Sequence, residues 1–387
     1  MLMTKYSAIF LLSLLFMGCA SVENSYKAVT CDTSLQYDGT PLYQGAIEFP
    51  TNDFIFGDTF DESMNLVFDK AMAQAMARTK ANVMSAAVAT KNGVWKATRS
   101  SNGSSEEALL YWASVGKALT ATVIMQLVEE GKLSLDQSAS QWVTSLPNAS
   151  SITIDHLLQH TSGLFSANED LVARKNPRYH SPEENIKIST RHGAMFCPGQ
   201  HWRYSNTGYT VLGKIIEQVD GRPYHEAVNA RISARLELDT LRALAPLEQA
   251  GDVSPLIPAD GTQPLMFPSW GYAAGSVVSS AEDMVRFWHA LLTAKLLNDK
   301  NTENLFEHLY PMFDENSFYG RGVMLYSLPS NTLGAKTWLG HSGGTQGGKA
   351  VVAYSPNDKA FVAVALTGDG SAEASAHLLL KQLGSQD

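Results

Sequence analysis

Strand patterns stand near both ends of this chain and helical patterns fill the space between, an order that leaves few folds open. From Asp61, DESMNLVFDKAMAQAMARTK places apolar residues at helical spacing. The next stretch, ANVMSAAVATKNGVWKATRS, holds two apolar runs joined by Asn92 and Gly93, a dipeptide suited to the tight turn of a hairpin. EEALLYWA reads as a further short strand, and VGKALTATVIMQLVEE as a buried helix closed by Gly131. After residue 320 strands return in RGVMLYSL, AKTWLGHSG, GKAVVAYSP and KAFVAVALTG, and SAEASAHLLLKQLG closes the chain as a helix. The order predicts an α/β (α+β) fold in which one antiparallel sheet, flanked by helices, is built from both chain ends. Residues from about 140 to 275 are predicted as a mainly helical insertion, and SAEDMVRFWHALLTAKLL as an amphipathic helix opened by a Ser cap.

With 387 residues, 44% of them hydrophobic and 17% charged, the chain can bury a sizeable core. Its formal charge of -9, spread without blocks of like sign, argues against a nucleic-acid surface and favours a small-molecule or peptide substrate. The start, MLMTKYSAIFLLSLLFMGCAS, has one lysine, an apolar run from Ala8 to Met17, then Gly18 and Cys19, the pattern of an export signal over residues 1–19. The run is short for a bilayer span of about 20 residues. FMGC resembles a bacterial lipobox, in which Cys19 becomes the lipidated first residue, although Phe16 departs from the usual Leu; simple cleavage nearby is the alternative. The expectation is a bacterial cell-envelope (periplasmic) protein whose only membrane contact is that lipid anchor. Residues 20–62 read as a tether and surface-packed extension. A single large domain follows over 63–387, its sheet drawn from 63–139 and 276–387 around the insertion at 140–275. Export leaves Cys31 and Cys197 where disulfides persist, either bridged or as two unrelated thiols.

The chemistry concentrates in YWASVGKALT, where Ser114 precedes Lys117 by three residues at a strand-to-helix junction. A capping serine is usually followed three residues later by Glu or Gln, which can reach back to free N–H groups. Lysine cannot accept those bonds, and its charge faces the positive end of the helix dipole. Positions i and i+3 share a helix face, so the hydroxyl and amine can meet as nucleophile and proton acceptor. S-x-x-K alone is weak, arising about once by chance in a chain this long.

Two further motifs raise the signal. CPGQHWRYSNTGY contains the chain's one Y-x-N, Tyr204-Ser205-Asn206, and GHSGGTQGG near the C-terminus contains its one H/K-S/T-G, beginning at His341. With these motifs in this order the chain resembles the penicillin-recognising serine hydrolases, specifically the branch of class C β-lactamases, D-alanyl-D-alanine carboxypeptidases, D-aminopeptidases and related esterases. Longer phrases carry the resemblance over roughly residues 63–387: EEGKLSLDQS, ITIDHLLQHTSGL, PGQHWRYSNTGYTVLGKIIEQVDGRPY and GYAAGSVVSSAEDMVRFWHALL. It implies a β-lactamase/transpeptidase-like fold. It also implies that Ser114 is acylated, Lys117 shuttles its proton, and Tyr204 is a second acid/base group over the leaving group. Asn206 would orient Lys117 or the substrate amide, His341, Ser342 and Gly343 would contact substrate, and backbone N–H groups of Ser114 and Gly344 would form the oxyanion hole. No metal or organic cofactor is implied. Which of Lys117 and Tyr204 takes the first proton stays open; Tyr204 is expected to deprotonate more readily if it faces the lysine charge.

His341 is the departure from the family pattern, filling the place of a lysine in class C β-lactamases. It is expected to gain charge below about pH 6.5, so that activity on carboxylate-bearing substrates strengthens there. A peptidase or esterase is favoured over an efficient β-lactamase. His156 and His160, four apart in a predicted helix, lack the Glu of a zinc protease motif and read as packing or hydrogen-bonding residues. Trp202, Trp270 and Tyr272 fit a cleft or the core equally. The leading expectation is an exported serine hydrolase acting through an acyl-enzyme on D-amino-acid peptides, β-lactams or small esters. The alternative is a catalytically weak cell-envelope binding or sensor protein of the same fold.

Overall fold

The computed structural model describes residues 29–101, 109–176, 178–248, 253–256, 268–328 and 336–384. The export signal and Cys19 lie outside the described residues. The strands are β1 (Val83–Thr90), β2 (Gly93–Ser100), β3 (Leu110–Tyr111), β4 (Arg242–Ala243), β5 (Val277–Ser279), β6 (Tyr310–Pro311), β7 (Ser317–Tyr319), β8 (Met324–Leu328), β9 (Lys336–Thr345), β10 (Gly348–Ser355) and β11 (Ala360–Thr367). The helices are α1 (Glu62–Thr79), α2 (Gly116–Glu129), α3 (Ile154–Leu158), α4 (Leu171–Arg174), α5 (Pro182–His192), α6 (Asn206–Asp220), α7 (Tyr224–Val228), α8 (Ala281–Leu292), α9 (Asp299–Asn304) and α10 (Ala372–Leu380).

An eight-stranded antiparallel sheet runs in the order β2-β1-β11-β10-β9-β8-β7-β6, so the two chain ends meet at the β1–β11 pair. The Asn92-Gly93 turn closes β1 on β2 with Thr90 opposite Gly93. Every residue of β11 is buried, because helices cover both faces of the sheet. The two faces differ by the period-2 alternation of a strand. Val88, Val362 and Val364 join the core cluster beneath α1 and α10, whereas Ala87, Ala89, Ala363 and Ala365 face the main cluster shared with α2, α6 and α8. Alanines on that inner face leave room for Phe287 and Trp288 of α8, both wholly buried.

The insertion is helical at α3 to α7 but also supplies β4, which with β3 and β5 forms a separate three-stranded sheet in the order β3-β5-β4. The strand expected from EEALLYWA is therefore reduced, within the described residues, to Leu110–Tyr111, and it pairs with β5 rather than the main sheet. The helix expected through HLLQH is also short. It ends at Leu158, and His160 has a positive φ of 61°, which no α-helix accommodates.

The N-terminal extension packs along the insertion. Leu35 N–H donates to the Pro198 carbonyl and Asp38 N–H to the Gln200 carbonyl, each at 2.8 Å. Cys31 and Cys197 are joined as a disulfide, with Cα atoms 5.7 Å apart, inside the usual range for a bridge. Phe54 from the same extension is buried against Phe361 of β11, ring centroids 5.4 Å apart.

Candidate active site

The short strand β3 delivers the chain into a tight turn, Ala113–Val115, from which α2 departs. Ser114 sits on this turn and Lys117 in the first turn of α2, so the three-residue spacing brings both side chains together. Two glycines let the turn nest between neighbouring elements. A Cβ on Gly343 would collide with the Trp112 carbonyl and come within 2.9 Å of Ser114 N; one on Gly275 would lie 2.8 Å from the Ala113 carbonyl oxygen. Three non-glycine residues at the site hold positive φ: Ala113 (46°) before the nucleophile, His160 (61°), and Tyr272 (42°) two residues before Ala274. Strain of this kind costs about 1–3 kcal/mol per residue and persists only where the surroundings fix it.

Lys117 is wholly buried, and its Nζ makes three polar contacts. It lies 2.6 Å from Asn206 Oδ1, 2.7 Å from the Ala274 carbonyl oxygen and 3.1 Å from Ser114 Oγ. The rings of Tyr204 and Tyr209 wall it in, 4.8 and 5.4 Å from Nζ. Burial disfavours the charged form, and it holds the Lys117 pKa well below the ordinary lysine value. A neutral amine has two N–H bonds and one lone pair. The two carbonyl oxygens, which can only accept, use the N–H bonds; the lone pair then faces the one partner that can donate, the Ser114 hydroxyl.

Tyr204 departs from expectation. Burial raises its pKa, and the hydrogen bond with Ser114 offsets only part of that rise. The phenol therefore stays protonated at neutral pH, because burial disfavours the phenolate.

Asn206 opens α6 and is itself held. Its Nδ2 donates to Asn168 Oδ1 at 2.8 Å, its backbone N–H donates to Ser166 Oγ at 3.0 Å, and Ser166 Oγ donates to Asn168 Oδ1 at 2.6 Å. This network turns the Asn206 carbonyl oxygen toward Lys117. Asn168 and Ser166 were missed by the sequence reading: they follow HTSGL in a loop without periodicity, and only folding sets them beside Asn206. The Ala274 carbonyl was missed too, since any residue type carries one.

Strand β9 forms the other wall. Its pairing with β8 ends at Met324 opposite Gly340, and beyond that pair residues 341–345 run past the Ser114 turn. Gly344, Thr345 and Gln346 line a cleft of about 290 Å³ together with Ser114 and Asn206. The side chains of His341 and Ser342 do not line it. His341 is fully buried, with Nδ1 2.7 Å from the Ser342 carbonyl oxygen and Nε2 3.2 Å from the Tyr319 hydroxyl. A carbonyl accepts only, so Nδ1 carries the proton and Nε2 accepts from Tyr319. Burial pushes the His341 pKa down to about 3. The expected gain of charge below pH 6.5 is thereby corrected: this imidazole stays neutral there and does not face the cleft. Strand alternation turns Ser342 to the opposite face, 3.7 Å from Met324 Sδ.

His156 closes a capping box at the start of α3, and the His160 ring packs against Tyr204 at 4.2 Å, tilted by 40°, so the two do not share a helix face. Among the described residues no group of three His, Cys, Asp or Glu gathers as a metal site. Trp270 lines the cleft and donates to Asn185, whereas Tyr272 is buried against Tyr224. A larger hollow of about 1250 Å³ lies elsewhere, between β1, β2 and the start of α8. It is walled by paired charges such as Arg99–Asp69 and Arg286–Glu282, and it touches none of the residues above.

Comparison with known proteins places this geometry. The Bacillus subtilis protein PbpX, named for penicillin binding, is 33% identical over 224 residues, 55% of this chain and 52% of the relative. Esterase EstB of Burkholderia gladioli is 31% identical over 153 residues, 34% of this chain and 37% of the relative. The chain spans about half the length of the first two curated relatives it matches. The D-amino acid amidase from Ochrobactrum anthropi SV3 superposes with a TM-score of 0.74 at 22% identity, covering 83% of this chain and 99% of the amidase, a likeness of fold. The beta-lactamase family model matches residues 68–384, from the middle of α1 to the end of the last helical turn, with the Ser114, Tyr204 and β9 segments all inside it. With that match, the serine–lysine turn and the antiparallel sheet between its helices, the chain belongs to the beta-lactamase family.

Proposed function

We propose that this protein is a serine hydrolase that transfers the acyl group of a small ester or amide, including D-amino-acid derivatives, to Ser114 and then to water. The observation that carries the proposal is the buried Lys117 amine, held by two carbonyl oxygens 3.1 Å from Ser114 Oγ, so that in its neutral form the lone pair is left to the serine hydroxyl. Lys117 takes the serine proton as Oγ bonds to the substrate carbonyl carbon. Backbone N–H groups of Ser114 and Gly344 receive the developing oxyanion, an arrangement in which losing one donor elsewhere costs about 3–4 kcal/mol of barrier. The tetrahedral intermediate collapses as its bond to the leaving oxygen or nitrogen breaks. Tyr204, protonated and hydrogen-bonded to Ser114, donates to the departing atom and is re-protonated from Lys117. Water attacks the acyl-enzyme by the same route, which restores Ser114 and releases the acid. Esterase, amidase and penicillin-binding names among the relatives support this substrate range.

For the N-terminus we propose export and a lipid on Cys19. FMGC supports the anchor, and the Cys31–Cys197 bridge suits an oxidising compartment. A Cys19→Ser protein still carrying labelled lipid at its N-terminus would contradict it.

To test the reaction, the protein is mixed with a penicillin and, separately, with an activated ester of a D-amino acid, and its intact mass is followed beside Ser114→Ala. A single acyl adduct absent from the Ala variant is expected from at least one reagent. Adducts that form equally on Ser114→Ala, or none from either, would contradict the proposal.

A further inference from the structure

Ser114 stands where two differently built surfaces meet. On one side is the cleft, lined by Thr207, Thr210, Asn185 and Trp270. On the other stands Tyr204, which does not line that cleft, and beyond it are two more rings. Phe313 lies 6.1 Å from Tyr204 and 5.9 Å from Trp202, centroid to centroid, and Trp202 lies 6.5 Å from Tyr204. His160 backs Tyr204, and Tyr319 backs Trp202 at 6.2 Å, so Tyr204 and Trp202 rest on buried groups. Phe313 does not. It belongs to the loop between β6 and β7 and is 76% exposed, yet its ring packs against both of the others. Singly exposed apolar side chains are common on protein surfaces. An exposed ring continuing an aromatic wall away from a nucleophile is a different case, because that apolar area is free to be covered by a ligand.

We propose that Phe313 and Trp202 form the leaving-group subsite, and that the site selects substrates whose leaving group carries an aromatic or broad apolar side chain. This rests on the acyl-transfer reading above. With the acyl carbon bonded to Ser114 Oγ and the acyl portion in that cleft, the departing group lies on the Tyr204 side. There the scissile bond breaks, the departing oxygen or nitrogen takes its proton from Tyr204, and its substituent lies across Phe313 and Trp202.

The test compares benzyl and methyl esters of one N-acyl D-amino acid. The two alcohols have similar basicity, so the ratio of their kcat/KM values reports contact rather than intrinsic reactivity. The wild type is expected to favour the benzyl ester by about tenfold, the scale of modest apolar pocket contacts. Phe313→Ala is expected to bring the ratio close to parity and Phe313→Tyr to retain it. Ile55→Ala, which trims a side chain 75% exposed, serves as the control and keeps the wild-type ratio. Equal wild-type rates on the two esters, or an unchanged ratio in Phe313→Ala, would overturn the subsite and leave the hydrolase reading standing. Absence of any Ser114-dependent turnover or adduct with either ester would overturn the acyl-transfer reading, and the subsite with it.

Discussion

His341 shows how a single residue changes meaning once its surroundings are known. In the sequence it reads as a group that gains charge below about pH 6.5. In the fold it is buried and neutral, and it ties β9 to Tyr319 through Nε2. Its pKa of about 3 lies below the value of about 6.5 for a free imidazole in the unfolded chain. Below pH 6.5 the unfolded chain takes up a proton that the folded one refuses. Stability should therefore fall with acidification between pH 6.5 and 3 and be flat with respect to this group above pH 7. The slope it contributes is about 1.4 kcal/mol per pH unit. Denaturant unfolding of wild type and His341→Gln at pH 7.5 and 5.5 checks this: the variant should lose about 1.4 kcal/mol less over that span. Parallel losses would show that His341 titrates normally. His160, pushed down by its own burial, should add a slope of the same sign.

At the scale of elements, the turn between β3 and α2 concentrates the design of the site. Ala113 holds φ at 46°, a conformation that costs an L-residue roughly 1–2 kcal/mol and costs glycine almost nothing. Ala113→Gly should accordingly raise unfolding stability by about 1 kcal/mol. It should also lower kcat/KM by about tenfold, because a looser turn misplaces Ser114 relative to Lys117. A variant that is both less stable and fully active would refute the strain argument. Much at this scale was legible in sequence. The Asn92-Gly93 hairpin, α2 and the returning strands follow from local period and turn chemistry. What stayed hidden depended on contacts between distant segments. The β3–β5–β4 sheet pairs residues more than 150 positions apart in the case of Leu110 and Ser279, and its strands are too short to leave a periodic trace. The end of α3 at Leu158 follows from the backbone His160 adopts beneath Tyr204, not from any breaker in HLLQH.

Over the whole molecule, the two chain ends build the sheet and the insertion closes over it, so the site is assembled from three distant segments. Ser114 and Lys117 come from the first sheet-forming region, Tyr204 and Asn206 from the insertion, and Gly343 and Gly344 from the returning strand. Motif order made the membership of this set readable, because each motif keeps chemically distinctive residues together. The charge states were not readable, since they depend on burial that only the assembled fold supplies. Those charge states carry the proposed mechanism, in which Lys117 is the first proton acceptor and Tyr204 the donor to the leaving group. The most direct test is a titration of the Lys117 amine, with lysines labelled with ¹³C at Cε and the Lys117 signal assigned by its loss in Lys117→Met. The account predicts a midpoint well below the ordinary value of 10.5, clearly separate from the exposed lysines, and an acylation rate of Ser114 that falls as pH drops through that midpoint. A Lys117 signal that titrates together with the exposed lysines near 10.5 would contradict it.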